Sequence, residues 1–456
     1  MLQAGQPFRP VIKMNITHYM PCKKPRRSTR LEFKEKEAVK EKSVQSSPLG
    51  FFDMFPVELK LMFLKYLSVE DLSNLTITSK VFRNLVEGFL TIHPILKKDI
   101  VDRIHIQSKY LPMPAIKHTD YIQLFGRLGL LIKRSTCLYS TKDRLKFINE
   151  VLTKLLCCNY TEHCEDLSMC LAMSCFGKFL HTVIAGWDDC ECVRAYEAIC
   201  SHTCLMKNVK LVLMSKSGSH QRLEFEIRCF FRRVFLDPCS SIQDKAFWMT
   251  RILKPWPLVY QARLIFLIYG PVLEDEILWF ELSENTPAVN SVQSSQHMGG
   301  LANALQILHH YKQEWSEDDV VSIIDEMTSS PEEWLAENMA HLLILCGDVI
   351  TSKLLISKAI NGRMMELSSL ITSFCLVCVK NSLNLDYVIA MIRHVLRVID
   401  SAKDRQIFSC SITDMFKELI IDIHEFEEGQ GNDMFYMVTS MAEFTKKIMM
   451  LAFKEP

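Results

Sequence analysis

Apolar residues recur at helical spacing in a long series of segments over residues 119–456, and short polar turns separate the segments. Examples are "DDVVSIIDEMTSS", "NLDYVIAMIRHVLRVID" and "DRQIFSCSITDMFKELIIDIHEF". Several segments begin with Asp, Asn or Pro-Glu-Glu, as helices often do, and two end at Gly347 and Gly362 in the position of a helix stop. The spacing indicates antiparallel helix pairs of roughly 35 to 45 residues. We therefore predict an all-α protein with an irregular helical-repeat, solenoid-like body at 119–456.

One polar segment interrupts this helical pattern. Residues 283–299 read "SENTPAVNSVQSSQHMG" and are rich in small and polar side chains. Such clusters between periodic segments are typical of loops. We predict a flexible loop at 283–299 that splits the body.

A compact apolar module at residues 51–90 precedes the body, and its pattern predicts three short helices. Pro56 and Glu58 suit the start of the first helix, which is apolar on more than one face. Ser68 is predicted to cap the second helix, with Asp71 as the acid of a capping box. About forty residues cannot bury enough surface to be firmly stable alone, so we expect a partner to cover the surplus apolar face. A proline-marked connector is predicted at 91–118.

Residues 1–48 are rich in charge and poor in aromatic residues, which predicts a disordered tail. A basic cluster in this tail surrounds Pro25 and consists of Lys23, Lys24, Arg26, Arg27 and Arg30. Such a cluster suits a nuclear import receptor or a phosphate backbone, and it is also compatible with a solvated tail. Because no aromatic residues interleave with the basic ones, the pattern disfavours nucleic acid as a partner.

Composition narrows the class of protein. The chain has 456 residues and a formal net charge of zero, so its overall charge does not indicate a nucleic-acid-binding protein. Glycines (15) and prolines (16) are few, which argues against an all-β fold with its many tight turns. The first residues lack the apolar core of a signal peptide, so we expect the 17 cysteines to be reduced and the protein to lie in the nucleus and/or cytoplasm. The best candidate for a membrane span, "PLVYQARLIFLIYGPVL", is short and contains Arg263, so no membrane partner is predicted.

The module at 51–90 resembles an F-box, and the chain is similar to the "F-box only" class of F-box proteins. The order and spacing of five elements carry this resemblance: Phe55-Pro56-Val57-Glu58-Leu59, Phe63-Leu64, Tyr66-Leu67, Ser68-Val69-Glu70-Asp71-Leu72 and Ser79-Lys80-Val81-Phe82-Arg83. Phe55 and Phe82 depart from the leucine and tryptophan of the family pattern, although both remain large and apolar.

The resemblance implies a receptor subunit of an SCF-type ubiquitin ligase without chemistry of its own. The F-box would dock on the small Skp adaptor, which connects it to a cullin and a RING subunit, while the helical body would hold an unidentified protein substrate. The residues that the resemblance assigns to the adaptor interface or its immediate support are Phe55, Pro56, Leu59, Leu64, Leu67, Leu72 and Phe82. The alternative is a helical scaffold that binds the adaptor or other proteins without cullin.

The sequence gives less support for a catalytic site or a metal-binding site. Nine cysteines lie between Cys157 and Cys204, with three histidines nearby, but no pair of Cys-x-x-Cys knuckles occurs there. Cysteine also serves as a small buried apolar residue, which is the simpler interpretation, although a zinc site stays open. Cys375 and Cys378 have the spacing of a redox pair but lie inside an apolar helical segment. We predict no catalytic residue, metal ligand or cofactor.

Overall fold

A computed structural model describes residues 49–93, 101, 104, 118–155, 170–285, 292–425 and 431–452. The predicted tail at 1–48, with its basic cluster of Lys23, Lys24, Arg26, Arg27 and Arg30, lies outside the described residues. So does most of the predicted connector at 91–118. None of the helices in the described ranges is both long enough and apolar enough to cross a membrane.

The N-terminal module consists of one 3₁₀ turn and three α-helices. Their bounds are Gly50–Met54 for the turn, Val57–Leu64 for α1, Val69–Thr78 for α2 and Lys80–Ile92 for α3. The predicted capping box at the start of α2 is confirmed: the Asp71 amide donates to the Ser68 hydroxyl at 3.1 Å, and the Ser68 amide donates to the Asp71 carboxylate at 3.3 Å. Ser79 caps α3 by accepting from the Phe82 amide at 3.2 Å.

The body is an all-α array in which one short hairpin is inserted. Its first part contains α4 (His118–Ser135), α5 (Thr141–Leu155), α6 (Ala172–Ile184), α7 (Asp189–His202), α8 (Leu205–Met214), α9 (Gln221–Phe230) with a π-helical extension (Phe231–Leu236), α10 (Ile242–Leu253) and α11 (Leu258–Tyr269). The antiparallel strands β1 (Val272–Leu273) and β2 (Glu276–Ile277) follow. The second part contains α12 (Glu281–Glu284), α13 (Val292–His310), α14 (Glu317–Ser329), α15 (Ala336–Cys346), α16 (Asp348–Ile360), α17 (Met364–Lys380), α18 (Asp386–Val398), α19 (Ala402–Glu425) and α20 (Gly431–Ala452).

The helices of the second part stack in two rows. α13, α15, α17 and α19 pack in series along one row, while α11 from the first part, α14, α16 and α18 pack in series along the other. The last helix, α20, packs on α17 and α19. Consecutive helices pair across the rows, so each pair buries its apolar stripes against the pairs before and after it. This arrangement confirms the predicted all-α, solenoid-like body.

The predicted loop at 283–299 is wrong over most of its length. Residues 283 and 284 belong to α12, and α13 begins at Val292, so the segment without assigned helix is at most 285–291. The helix extends through the small residues because its later part is anchored in the core: Met298 and Leu301 are buried. Tertiary packing thus overrides the low helix propensity of the glycines and serines at 294–300.

The N-terminal module is fixed on the body rather than tethered to it. Helix α2 packs along α4, and the Arg134 guanidinium donates to the Ser73 hydroxyl at 3.0 Å and to the Asn74 side-chain oxygen at 3.1 Å. Leu72 and Val86 of the module belong to the same buried cluster as the core of the body. The position of the module relative to α4 is therefore set by shared packing.

Candidate functional site

Helix α1 and the turn before it carry a large apolar surface that no described part of the chain covers. We call it the α1 surface, and its exposed members are Phe51, Phe52, Met54, Phe55, Pro56, Val57, Leu59, Met62, Phe63, Tyr66 and Leu67. Contiguous apolar patches of this kind are rare on soluble monomers and mark sites of interaction with other macromolecules. The composition of α1, in which apolar residues face every direction, produces this surface once one side has packed on α3.

An aromatic cluster gives the α1 surface a defined shape. The Phe52 ring lies 6.1 Å from that of Phe55, 6.3 Å from that of Phe63 and 6.4 Å from that of Phe82. The pairs meet in tilted or edge-to-face geometry, which aromatic quadrupoles favour. The Lys60 ammonium lies 3.6 Å from the Asp53 carboxylate and adds a tie between α1 and the turn. The surface is therefore organised before any partner arrives.

The predicted interface residues fall into two groups. Phe55, Pro56, Leu59 and Leu67 are exposed on the α1 surface, and Phe82 is half-buried at its aromatic edge. Leu64 and Leu72, by contrast, are only 4% and 5% exposed and pack into the common core. The sequence did not separate contact residues from their immediate support, and burial assigns these two side chains to the support, because a side chain inside the core cannot reach a partner. They support the surface from below.

Several members of the α1 surface were missed at the sequence level. Tyr66 is 82% exposed, and Phe51, Met54 and Val57 are also well exposed. Two signals pointed to them: an apolar run that begins at residue 51, and an α1 sequence with too many apolar residues for one buried stripe. Neither signal says which residues face outward.

The capping box beneath this surface gives a first prediction. We expect Ser68→Ala to lower the free energy of unfolding by about 1 kcal/mol, because it removes the acceptor for the Asp71 amide at the start of α2. Ser409→Ala is the matched control, since the Ser409 hydroxyl bonds only within its own helix, to the Arg405 carbonyl. Guanidinium denaturation followed by circular dichroism measures both. Equal midpoints for the two variants would contradict a capping role.

The cysteine-rich segment is only partly described, since Cys157, Cys158 and Cys164 lie outside the described residues. Burial raises the pKa of the Cys175 thiol and of the Cys200 thiol to about 12, which opposes the thiolate form that zinc requires. In the parts of the chain that the structure describes, no group of three or more His, Cys, Asp or Glu side chains is placed to hold a metal ion.

The candidate redox pair is also buried. Cys375 and Cys378 lie inside α17, and burial raises the pKa of both thiols, that of Cys378 to about 11. Reactive cysteines need a lowered pKa and access to solvent. These two side chains therefore serve the core of the helical array.

Comparison with known proteins agrees with this architecture. The family model described as "FBXO47, ARM repeats" matches residues 202–448, which include most of the helical body. F-box only protein 47 of Homo sapiens is 35% identical over 422 residues, which cover 90% of this chain and 91% of the human protein. F-box only protein 47 of Mus musculus is 36% identical over 417 residues, with coverage of 89% and 90%. No solved structure matches the chain. The extent of these matches, together with the stacked helices and the N-terminal module, means that the chain belongs to the F-box only protein 47 family.

Proposed function

We propose that this protein is the substrate-recognition subunit of an SCF-type ubiquitin ligase. The observation that carries the proposal is the α1 surface: a preformed, exposed apolar face on a module with the F-box sequence elements. Such a face is suited to the Skp adaptor, which in turn connects an F-box protein to cullin and the RING subunit. The helical body would hold the protein substrate.

The contacts between the module and the body support a protein in which the module binds the adaptor and the body binds the substrate. Arg134 and the α2–α4 packing hold the α1 surface at a set position relative to the body. A substrate bound to the body would then have a restricted position relative to the ubiquitin-charged enzyme. Holding two reactants together makes a bimolecular step effectively unimolecular, so proximity alone accelerates transfer. The protein itself would supply no catalytic group.

We also propose that the protein acts in the nucleus and/or cytoplasm. The support is the basic cluster of Lys23, Lys24, Arg26, Arg27 and Arg30, which suits a nuclear import receptor. Replacing these five residues with alanine in a fluorescent fusion is expected to lower the nuclear share of the protein. An unchanged distribution would count against the targeting role.

The test of the ligase assignment is affinity purification of the full chain beside a Pro56→Ala/Leu59→Ala variant, with quantitative mass spectrometry of the bound proteins. Both side chains are exposed on the α1 surface, so the variant keeps the core that Leu64 and Leu72 provide. We expect the Skp adaptor and cullin to copurify with the parent and to be lost from the variant. Partners retained by both are candidate substrates.

Two other outcomes would overturn the assignment. Recovery of the adaptor without cullin would favour a scaffold that binds the adaptor and targets nothing for ubiquitination. Failure of the folded parent to recover the adaptor would show that the α1 surface binds a different partner.

A further inference from the structure

A cleft of about 850 Å³ opens between α6 and α10 in the first part of the body. Its walls come from α6, the turn into α7, the start of α10 and the residues just after α13. Pockets of 300–1,000 Å³ are typical of sites that enclose a ligand or several side chains of a peptide. The cleft lies on the body, away from the residues of the α1 surface.

Aromatic side chains make one wall of the cleft rigid. The rings of Phe247 and Trp248 meet edge to face at 5.0 Å, and Trp248 also lies 5.9 Å from the His181 ring. On the other side, the Arg144 guanidinium lies 4.7 Å from the centre of the Trp187 ring and holds it in place. Burial lowers the pKa of His181 to about 4, so its ring is neutral at pH 7.

Two carboxylates at the cleft lack compensation. Asp189 and Asp244 are exposed, and neither carboxylate has a hydrogen-bond or ion-pair partner among the described residues. Two arginines that contact aromatic residues of the cleft pair with other carboxylates: Arg144, which lies over the Trp187 ring, pairs with Glu191 at 3.6 Å, and Arg251, which lies over the Phe247 ring, pairs with Glu314.

The basic side chain that lines the cleft does not neutralise these carboxylates. The methylene chain of Lys178 runs across Gly126 of α4, where an added Cβ would lie 3.3 Å from its Cε. Two carboxylates against one ammonium leave the described lining of the cleft negative at pH 7. A cationic side chain of a ligand would therefore be attracted, and an anionic one would be repelled.

A second, more apolar compartment of about 430 Å³ adjoins the first. The two share Gln243 and Tyr311, and the second is lined by Ile242, Ala246 and Ile307 among others. Ile242 is well exposed although it is a large apolar residue, which leaves it available for contact. The groove thus offers a negative, aromatic end and an apolar end.

We propose that this groove binds a substrate segment that places a lysine or arginine side chain against Asp189 and Asp244 and an apolar side chain beside Ile242. The charge and shape of the lining favour this occupant over a phosphorylated segment, which the two carboxylates would repel. The inference rests on the proposed function, since it names the class of segment that the substrate receptor recognises.

The experiment is a binding assay of the full chain against an array of short peptides that vary in charge and in the position of one apolar residue. We expect the bound peptides to be enriched in a basic residue near an apolar one. Asp189→Asn and Asp244→Asn should each weaken the best peptide about fivefold, the effect of one partly exposed ion pair. Asp244→Lys should reverse the preference from lysine to glutamate at that peptide position.

Asp404→Asn is the matched control for Asp244→Asn. Both aspartates stand three residues after a serine cap: the Asp244 amide donates to Ser241 at 3.0 Å, and the Asp404 amide donates to Ser401 at 3.3 Å. Both substitutions remove one carboxylate from the first turn of a helix, but only Asp244 lines the groove. Peptide binding by Asp404→Asn should match that of the parent.

Adaptor binding is measured on the same preparations, so the groove assignment and the ligase assignment can be contradicted independently of each other. Enrichment of acidic peptides, or no selective binding by a chain that still binds the adaptor, would overturn the groove assignment alone. If the chain selects basic peptides but does not bind the adaptor, the ligase assignment is overturned, while the assignment of the groove as a peptide-binding site stands. Binding that appears only after deletion of residues 1–48 would identify the chain's own basic tail as the occupant and overturn the substrate assignment.

Discussion

Glu224→Ala is expected to lower the free energy of unfolding by about 3 to 5 kcal/mol, which is a large part of the stability of an ordinary domain. Glu224 lies on α9 and is fully buried, with 0% of its surface exposed. Its carboxylate accepts hydrogen bonds from the Trp279 indole at 2.7 Å and from the Gly218 amide at 3.0 Å. Alanine would leave the buried Trp279 indole and the partly buried Gly218 amide without this acceptor and would open a cavity.

The charge of Glu224 also compensates a half-buried cation. Burial lowers the pKa of Arg263, and the charge of Glu224 acts in the opposite direction by favouring the guanidinium. Arg263 donates to the Leu213 carbonyl at 2.8 Å and lies over the Trp279 ring, so the network joins α8, α9, α11 and the residues after the hairpin. Losing the carboxylate would leave this cation partly buried without a counter-charge, which adds to the cost.

Glu226→Ala is the control for this prediction. Glu226 lies on the same helix, but it pairs at 3.3 Å with the largely exposed Arg222, an interaction that contributes less than about 1 kcal/mol. Denaturation midpoints measured by circular dichroism compare the two variants. Glu224→Gln, which keeps a side-chain oxygen as acceptor and removes the charge, should lie between them. Equal midpoints for Glu224→Ala and Glu226→Ala would contradict the structural role assigned to the network.

The body could be predicted because its helices are amphipathic. In α18, for example, Val388, Ile392 and Val395 recur at helical spacing, and all three are buried. The prediction failed at 292–299 because the small and polar residues there form no apolar stripe, whereas the buried side chains of Met298 and Leu301 anchor the helix in the core. Periodicity finds helices that bury one face, and it misses helices that are anchored from one end.

The site was predicted as a region, but its contact residues were not separated from its support. Leu59 and Leu64 lie on one short helix and fit the same motif, yet one is exposed and the other is buried. When apolar residues lie on every side of a helix, their spacing does not indicate which side faces outward. Glu224 was missed because a carboxylate on a helix is ordinarily solvated, and only its tertiary hydrogen bonds distinguish it. Asp244 was missed because its position at the cleft depends on which helices pack together.

Leu59→Asp is expected to weaken binding of the Skp adaptor by at least about 100-fold while leaving the fold intact. Leu59 is 42% exposed in the centre of the α1 surface, so the free protein can hydrate the new carboxylate there. In the complex, the same carboxylate would be buried against apolar groups without a partner, at a cost of about 3 kcal/mol or more. Titration of purified adaptor into the full chain, with calorimetric detection, measures the loss.

Two further variants separate contact from support. Leu211→Asp is the matched control, because Leu211 is 49% exposed on α8 and lies outside the α1 surface, so adaptor affinity should be unchanged. Leu64→Asp places the charge in the core, since Leu64 packs beneath the surface, and it should lower the melting temperature as well as the affinity. If Leu59→Asp binds like the parent while the chain stays folded, the adaptor does not use the α1 surface. Parent-like affinity for Leu59→Asp combined with a lower melting temperature would instead assign Leu59 to the fold, because an exposed contact residue affects the complex and a supporting residue affects the free chain.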